Sequence, residues 1–108
     1  MQYAEYKKIP NRLRKCRIAR NMRPEVVAEI MGLKYTSQLS QWESGKTVPA
    51  LVNVFKLAGV YKVFVEDLYY DTWDKIRNEV TLKAQEVFER RRLEGRPIST
   101  EGAESLAK

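Results

Sequence analysis

Residues 39–46 decide the fold and read Leu39-Ser40-Gln41-Trp42-Glu43-Ser44-Gly45-Lys46. Leu39 and Trp42 are three residues apart, so in a helix they share one face, and we expect that face to be buried. Gly45 then suits the left-handed end of such a helix. This spacing turns outward a set of polar side chains that contains no acid: Ser37, Gln38, Ser40, Gln41 and Ser44.

Two short helices are predicted before this stretch. The first covers residues 11–21, with Asn11 as its N-cap and an apolar side at helical spacing. The second begins at Pro24, which suits the first position of a helix, and ends at Gly32. A turn at residues 33–36 then leads into the third helix.

The chain after Gly45 also has a helical pattern. Pro49 is predicted to open a fourth helix, and a short fifth helical turn follows at residues 65–69. A long charged helix runs from residue 71 to about residue 93, before a loose tail. The fold class is therefore all-α, with a first domain at 1–70, a C-terminal helix at 71–94 and a flexible tail at 95–108.

The long helix carries an apolar stripe at steps of three and four residues: Trp73, Ile76, Val80, Ala84, Val87 and Phe88. Such a stripe is too long for a small five-helix domain to cover, so we expect a second copy of the chain to cover it. Lys83 falls where a coiled coil would need a core residue, which favours helix packing or exchange over a long coiled coil. The alternative is that the helix folds back over its own domain, near Phe64.

Charge is distributed unevenly along the chain. Residues 1–62 carry 12 basic and 4 acidic side chains, a net charge of +8, whereas the other 46 residues carry 8 bases and 10 acids, a net charge of −2. A basic N-terminal part indicates a polyanionic partner for that part alone. A solvated surface with a chance excess of Lys and Arg is the alternative.

Composition excludes several classes of protein. With 108 residues the chain is too short for a two-domain enzyme. It has no histidine and one cysteine, so it offers neither a histidine-based catalytic group nor the ligands of a zinc site. Gly45-Lys46-Thr47 resembles the end of a phosphate-binding loop, but Ser40 stands where that loop needs glycine. We expect no cofactor, no enzymatic activity and no membrane association. The single cysteine, Cys16, and the lack of a signal-type segment favour the cytoplasm.

Two short helices joined by a tight turn in a basic region form the arrangement that inserts one helix into the major groove of DNA. The chemistry of the third helix suits that role. Glutamine can hydrogen-bond N6 and N7 of adenine together, and serine can bind bases or phosphates. Taken by itself, the same face could also be an ordinary solvated one.

Residues 11–69 resemble the Cro and lambda-repressor (XRE-like) type of helix-turn-helix domain. The resemblance is densest in residues 39–46 and continues through Pro49, Leu51, Leu57-Ala58 and residues 65–69. It implies a five-helix lambda-repressor-like domain in which the third helix reads double-stranded DNA.

The resemblance also implies roles for individual residues. Arg17 of the first helix and Glu43 of the third would form a largely buried ion pair. Base contacts would come from Ser37, Gln38 and Gln41. Phosphate contacts are expected from residues around the reading helix and the starts of its neighbours: Arg23, Lys34, Thr36, Ser40 and Lys46.

Several features depart from the family pattern, among them Arg23-Pro24 in place of the usual Thr-Gln or Ser-Gln opening of the second helix. The link from Gly32 to Trp42 is one residue longer than the commonest spacing, so the cap of the reading helix lies between Tyr35 and Ser37. Lys62 stands where the family usually has glycine. The start of the reading helix therefore stays open by one residue.

We expect a transcription regulator, acting as a repressor, that binds a pseudo-palindromic operator as a dimer. Two reading helices must lie about 34 to 36 Å apart to reach successive turns of DNA. One alternative is an antitoxin or mobile-element accessory protein whose C-terminal helix binds a second protein. Another is an interaction module that has lost DNA binding, but the acids or bulky apolar residues that would mark its reading face are absent from it.

Overall fold

The computed structural model describes residues 8–99, and over this range the chain is helical with no strand. The predicted all-α class is confirmed. The helices are α1 (Leu13–Ala19), α2 (Pro24–Met31), α3 (Thr36–Ser44), α4 (Leu51–Tyr61), α5 (Val65–Leu68) and α6 (Tyr70–Leu93). Gly95, with φ of 69°, follows the end of α6. The predicted tail lies mostly outside the described residues, since residues 100–108 are not among them.

The chain divides into two compact units, with the boundary between Asp74 and Lys75. The core of the first unit is built from the inner faces of α1 to α5. Its buried apolar residues are Leu13, Val27, Met31, Leu39, Trp42, Val54, Leu57, Ala58, Tyr61 and Leu68. These faces hold α3 against α1 and α2, which determines the side of α3 that reaches solvent.

Helix α2 has the predicted ends. Arg23 is extended at the N-cap, Pro24 follows at the first helical position, and Gly32 ends the helix with φ of 75°. The prediction for α1 was wrong at both ends, because its N-cap is Arg12 and not Asn11, and it ends at Ala19, two residues before the predicted end. Asn11 nevertheless caps locally, since its side-chain oxygen accepts the N–H of Leu13 at 3.0 Å.

Helix α3 begins at Thr36 with Tyr35 as its cap, and ends at Gly45, which has φ of 81°. A Cβ at Gly45 would meet the carbonyl oxygen of Ile9 at 3.2 Å, so both backbone conformation and space favour glycine there. The prediction that Pro49 opens α4 was wrong. Pro49 is buried in the preceding loop, the chain stays extended through Ala50, and α4 starts only at the next residue.

Lys62 ends α4 in the left-handed region, with φ of 58°. This is the position where glycine is usual in the family that the sequence resembles. A side chain other than glycine in this conformation costs roughly 1 kcal/mol. Lys62 therefore holds a backbone conformation that glycine adopts more readily.

The second unit begins inside α6, and no residue of α6 is buried. Its surface has ion pairs one turn apart, such as Lys83 with Glu86 and Arg92 with Glu89. Exposed pairs of this kind add little stability. Among the described residues, no helix has the length and apolar character needed to span a membrane.

Candidate nucleic-acid interface

The orientation of α3 follows from its two apolar side chains. Leu39 is fully buried and Trp42 is 3% exposed, so both pack into the core. The predicted polar face is solvent-exposed along its whole length: Ser37, Gln38, Ser40, Gln41 and Ser44. Burial of two side chains three residues apart thus presents an acid-free polar surface on the opposite side.

These five side chains are not equivalent around the helix. At about 100° per residue, Ser37, Gln41 and Ser44 lie opposite the buried side, which is formed by Leu39, Trp42 and the ion-paired Glu43. Gln38 lies on the flank nearer Trp42, and Ser40 lies on the other flank. The Ser44 hydroxyl donates to the backbone oxygen of Gln41 at 3.1 Å. Within residues 8–99, the central side chains without a hydrogen-bond partner are those of Ser37 and Gln41.

Arg17 and Glu43 are brought together as the family resemblance implies. The Arg17 Nε donates to Glu43 Oε2 at 2.7 Å and its Nη2 to Oε1 at 3.2 Å, and the side chains are only 11% and 10% exposed. A third guanidinium nitrogen donates to the Met22 carbonyl at 3.0 Å. The hydrogen bond to Glu43 raises the pKa of Arg17 despite its burial. This pair joins α1 to α3.

Asn11 forms a second link between the segment before α1 and the end of α3. Its side-chain nitrogen donates to the carbonyl oxygens of Trp42 at 3.1 Å and Glu43 at 3.3 Å. Its oxygen accepts from Leu13, so one carboxamide serves both helices. Sequence reasoning missed the link to α3, because the only local signal, an asparagine before a helix, predicts a cap and nothing more.

The residues predicted to bind phosphate surround α3. Lys34 and Thr36 lie at its N-terminal end, and Lys34 Nζ is 5.6 Å from the centre of the Tyr35 ring. Lys46 follows Gly45 at the other end, where its N–H donates to the Gln41 carbonyl at 3.0 Å. Arg23 is at the N-cap of α2, and Ser40 is on the flank of α3. All five are exposed.

Helix α4 exposes an apolar face that sequence reasoning did not predict. Leu51, Val52 and Phe55 are 65%, 63% and 53% exposed, while Val54 and Leu57 of the same helix are buried. The signal in the sequence was an apolar pattern too broad for one buried face. Exposed apolar groups at helical spacing are typical of protein contact surfaces.

The geometry of α1 to α5, with a polar α3 standing on a small core, defines a helix-turn-helix protein. A helix-turn-helix family model (HTH_3) matches residues 13–68, just over half of the chain, and the chain belongs to this family. Its class is that of DNA-binding transcription regulators. The match ends before α6 begins at Tyr70.

A solved structure is similar to this chain. It is the restriction-modification controller protein C.AhdI from Aeromonas hydrophila, with 33% sequence identity and a TM-score of 0.52. The similarity covers 62% of this chain and 100% of the controller. No match was found among curated proteins.

Proposed function

We propose that this protein is a transcription repressor that inserts α3 into the major groove of a pseudo-palindromic operator and binds as a homodimer. The observation that carries the proposal is the polar face of α3. It has two glutamines and three serines, no acid, and a buried apolar core beneath it. A face of this kind can approach DNA without charge repulsion and offers donors and acceptors to base edges.

In this proposal, base contacts come from Ser37, Gln38 and Gln41. Gln41 is central on the exposed face, so it points to the floor of the groove and can pair with N6 and N7 of adenine. Ser37, one turn earlier, reaches the adjacent base pair. Gln38 lies toward the flank of α3, so it contacts a base at the edge of the same half-site.

Phosphate contacts set the register of α3 on the DNA. Arg23, Lys34 and Lys46 supply positive charge at three places around the helix, and Thr36 and Ser40 supply hydroxyl donors. Contacts of this type carry no sequence information, but they position the base-reading helix. They also make binding strongly dependent on salt.

The dimer is proposed to form through α6. This helix has 24 residues, or about 36 Å at 1.5 Å per residue. None of its side chains is buried, and Val80 and Phe88 of the apolar stripe are 58% and 48% exposed. We infer that a second copy of the chain covers this helix, because a two-fold symmetric dimer also matches the symmetry of a pseudo-palindromic operator.

Selection of bound sequences from random DNA by the purified protein tests the proposed function. We expect one enriched motif with two inverted half-sites spaced by about one DNA turn. Transcription in vitro from a promoter that overlaps the motif should then fall as protein is added. Lack of enrichment over background at moderate salt contradicts operator binding, and a rise in transcription contradicts repression.

A second candidate function is control of restriction and modification genes. The similarity to C.AhdI supports it, since 33% identity extends over the whole of that controller. DNA from upstream of restriction and modification genes in the source genome provides the probe. Specific binding there supports this role, and specific binding only elsewhere rejects it.

A further inference from the structure

A polar groove runs between α1 and α3, beside the proposed base-reading face. Arg14 of α1, Pro24 at the start of α2, and Ser40 and Ser44 of α3 line it, and the groove has a volume of about 340 Å³. One water molecule takes up about 30 Å³ of liquid, so the space is ample for a phosphodiester group. We propose that this groove binds one phosphate of the DNA backbone, with Arg14 as its main ligand.

The charge of the groove favours an anion. Its walls also include Arg17 and Glu43, but these two form the bidentate pair and neutralise one another. Among the described residues, Arg14 has no ion-pair partner, and its side chain is exposed. The groove therefore has one uncompensated positive charge, and Ser40 and Ser44 of α3 are on the same lining. The Ser44 hydroxyl donates to the Gln41 carbonyl in the free protein and would turn from it to a bound phosphate.

The position of the groove points to the backbone of DNA and not to a base. The major groove is about 12 Å wide, and a helix with its side chains is about 10 to 12 Å across, so an inserted helix meets a phosphate wall on each side. Ser37 and Gln41 face the floor in this arrangement. Ser40 lies about 60° to 100° around the helix from them, which places the Arg14 side of α3 against one wall.

The assignment rests on the proposed function and adds Arg14 and Ser44 to its DNA contacts. In the sequence, Arg14 is a basic residue on the outer side of the first helix, and such a residue predicts only a solvated charge. The structure adds that α1 lies beside α3 at this point. A guanidinium there can donate two parallel hydrogen bonds to a phosphate.

Salt dependence of binding gives the test. We expect Arg14→Gln to weaken binding to the selected site and to random DNA alike, by about threefold to tenfold. The slope of log K against log salt should fall by about 0.9, the value for one phosphate contact. Arg20→Gln is the matched control, because Arg20 is at the other end of α1 and lines a different groove, with Cys16 and Tyr61.

Three outcomes overturn the assignment. They are an unchanged slope in Arg14→Gln, an equal fall in slope in Arg20→Gln, and a loss confined to the selected site, which would indicate base reading. Failure of the proposed function appears differently, as wild-type protein without sequence preference. The slopes on random DNA remain measurable in that case and still decide the role of Arg14.

Methylphosphonate substitution identifies the phosphate itself. Neutralising single phosphates of the selected site one at a time should weaken wild-type binding at several positions. At one of them Arg14→Gln should show no further loss, because the contact is already gone. A full additional loss at every position contradicts the assignment. Ser40→Ala with Ser44→Ala should weaken all DNA binding at constant slope, and an unchanged affinity removes the serines from the site.

Discussion

The side-chain nitrogen of Asn11 donates to the backbone oxygen of Trp42 at 3.1 Å, across 31 residues of sequence. Trp42 anchors the buried side of α3, so this hydrogen bond fixes the C-terminal half of the proposed base-reading helix to the segment that precedes α1. Together with the ion pair between Arg17 and Glu43, it gives α3 two separate attachments to the α1 region. We expect the orientation of Gln41 to depend on both.

Substitution of Asn11 should separate capping from positioning. Asn11→Asp keeps an oxygen for the N–H of Leu13 but places a carboxylate against the Trp42 and Glu43 carbonyls. We expect specific DNA binding to weaken by about 1 to 2 kcal/mol, with little change for random DNA. Asn11→Ala should lose the cap as well and show a lower thermal midpoint. Binding isotherms and thermal melts of both variants provide the check, and wild-type discrimination in Asn11→Asp would show that the link does not position α3.

Removal of either partner of the Arg17 and Glu43 pair should destabilise the fold strongly. Each single change, Arg17→Met or Glu43→Gln, leaves a charge about nine-tenths buried without its partner. We expect a loss of about 3 to 5 kcal/mol in the free energy of unfolding. The double variant should lose less than the sum of the singles, as measured by urea denaturation. Additive losses would show that the pair does not interact in solution.

The two glutamines of α3 should contribute unequally to specificity. Gln41→Ala is expected to weaken binding to the selected site by about 1 to 3 kcal/mol and to leave random DNA nearly unaffected. Gln38→Ala should have a smaller effect in the same direction, since Gln38 is nearer the buried flank. Fluorescence anisotropy on both DNAs measures the difference. Equal losses on the two DNAs would argue against base reading.

Truncation after Asp74 should convert the proposed dimer to a monomer. This end keeps the contacts of Asp71 with Arg12 and of Thr72 with the Pro10 carbonyl, which belong to the first unit. Sedimentation should therefore give the full chain a mass of about twice its single-chain mass, and the truncated chain a mass of one chain.

A pair of point variants controls for unfolding of the truncated chain. Val80→Glu places a charge in the apolar stripe and should dissociate the dimer, whereas Gln85→Glu places the same charge outside the stripe and should not. A full-length chain that is already monomeric rules out the dimer. If the truncated chain remains dimeric, α6 is not the interface. The exposed apolar face of α4 around Leu51, Val52 and Phe55 is then the next candidate.

Tyr61 should make the fold sensitive to alkali. It is 1% exposed, and its hydroxyl has no hydrogen-bond partner among the described residues. Burial, and next the negative charge of Glu43, raise the pKa of this hydroxyl. Because the folded pKa is raised, the stabilising effect of the neutral form is complete below the unfolded value, about pH 10, and is lost as pH rises above it.

Tyr61→Phe tests this reasoning. We expect the variant to be more stable than wild type at neutral pH by about 1 kcal/mol, because an unpaired buried hydroxyl is removed. The gain should increase above about pH 10. Tyr35→Phe, at a tyrosine that is 64% exposed, is the control and should follow wild type across the range. A destabilised Tyr61→Phe protein would show that the hydroxyl has a partner.

The sequence by itself determined the local features of the helix-turn-helix. Leu39 and Trp42 are buried and the glutamines exposed because the helical repeat alone places residues three apart on one face. Gly32 and Gly45 end their helices because the left-handed conformation strongly favours glycine. Each of these outcomes depends on the helical repeat or on the allowed backbone angles of neighbouring residues, and both can be read directly from the sequence.

Only the tertiary structure decided which distant groups meet. The links from Asn11 to the end of α3, the groove between Arg14 and Ser40, and the exposure of one apolar face of α4 all depend on how separate helices pack. Pro49 shows the same limit of local prediction. Proline favours the start of a helix, but here it is buried in the loop before α4. Local preferences amount to about 1 kcal/mol each, whereas burial of one large side chain contributes about 1.5 to 3 kcal/mol, so packing overrides them where the two disagree.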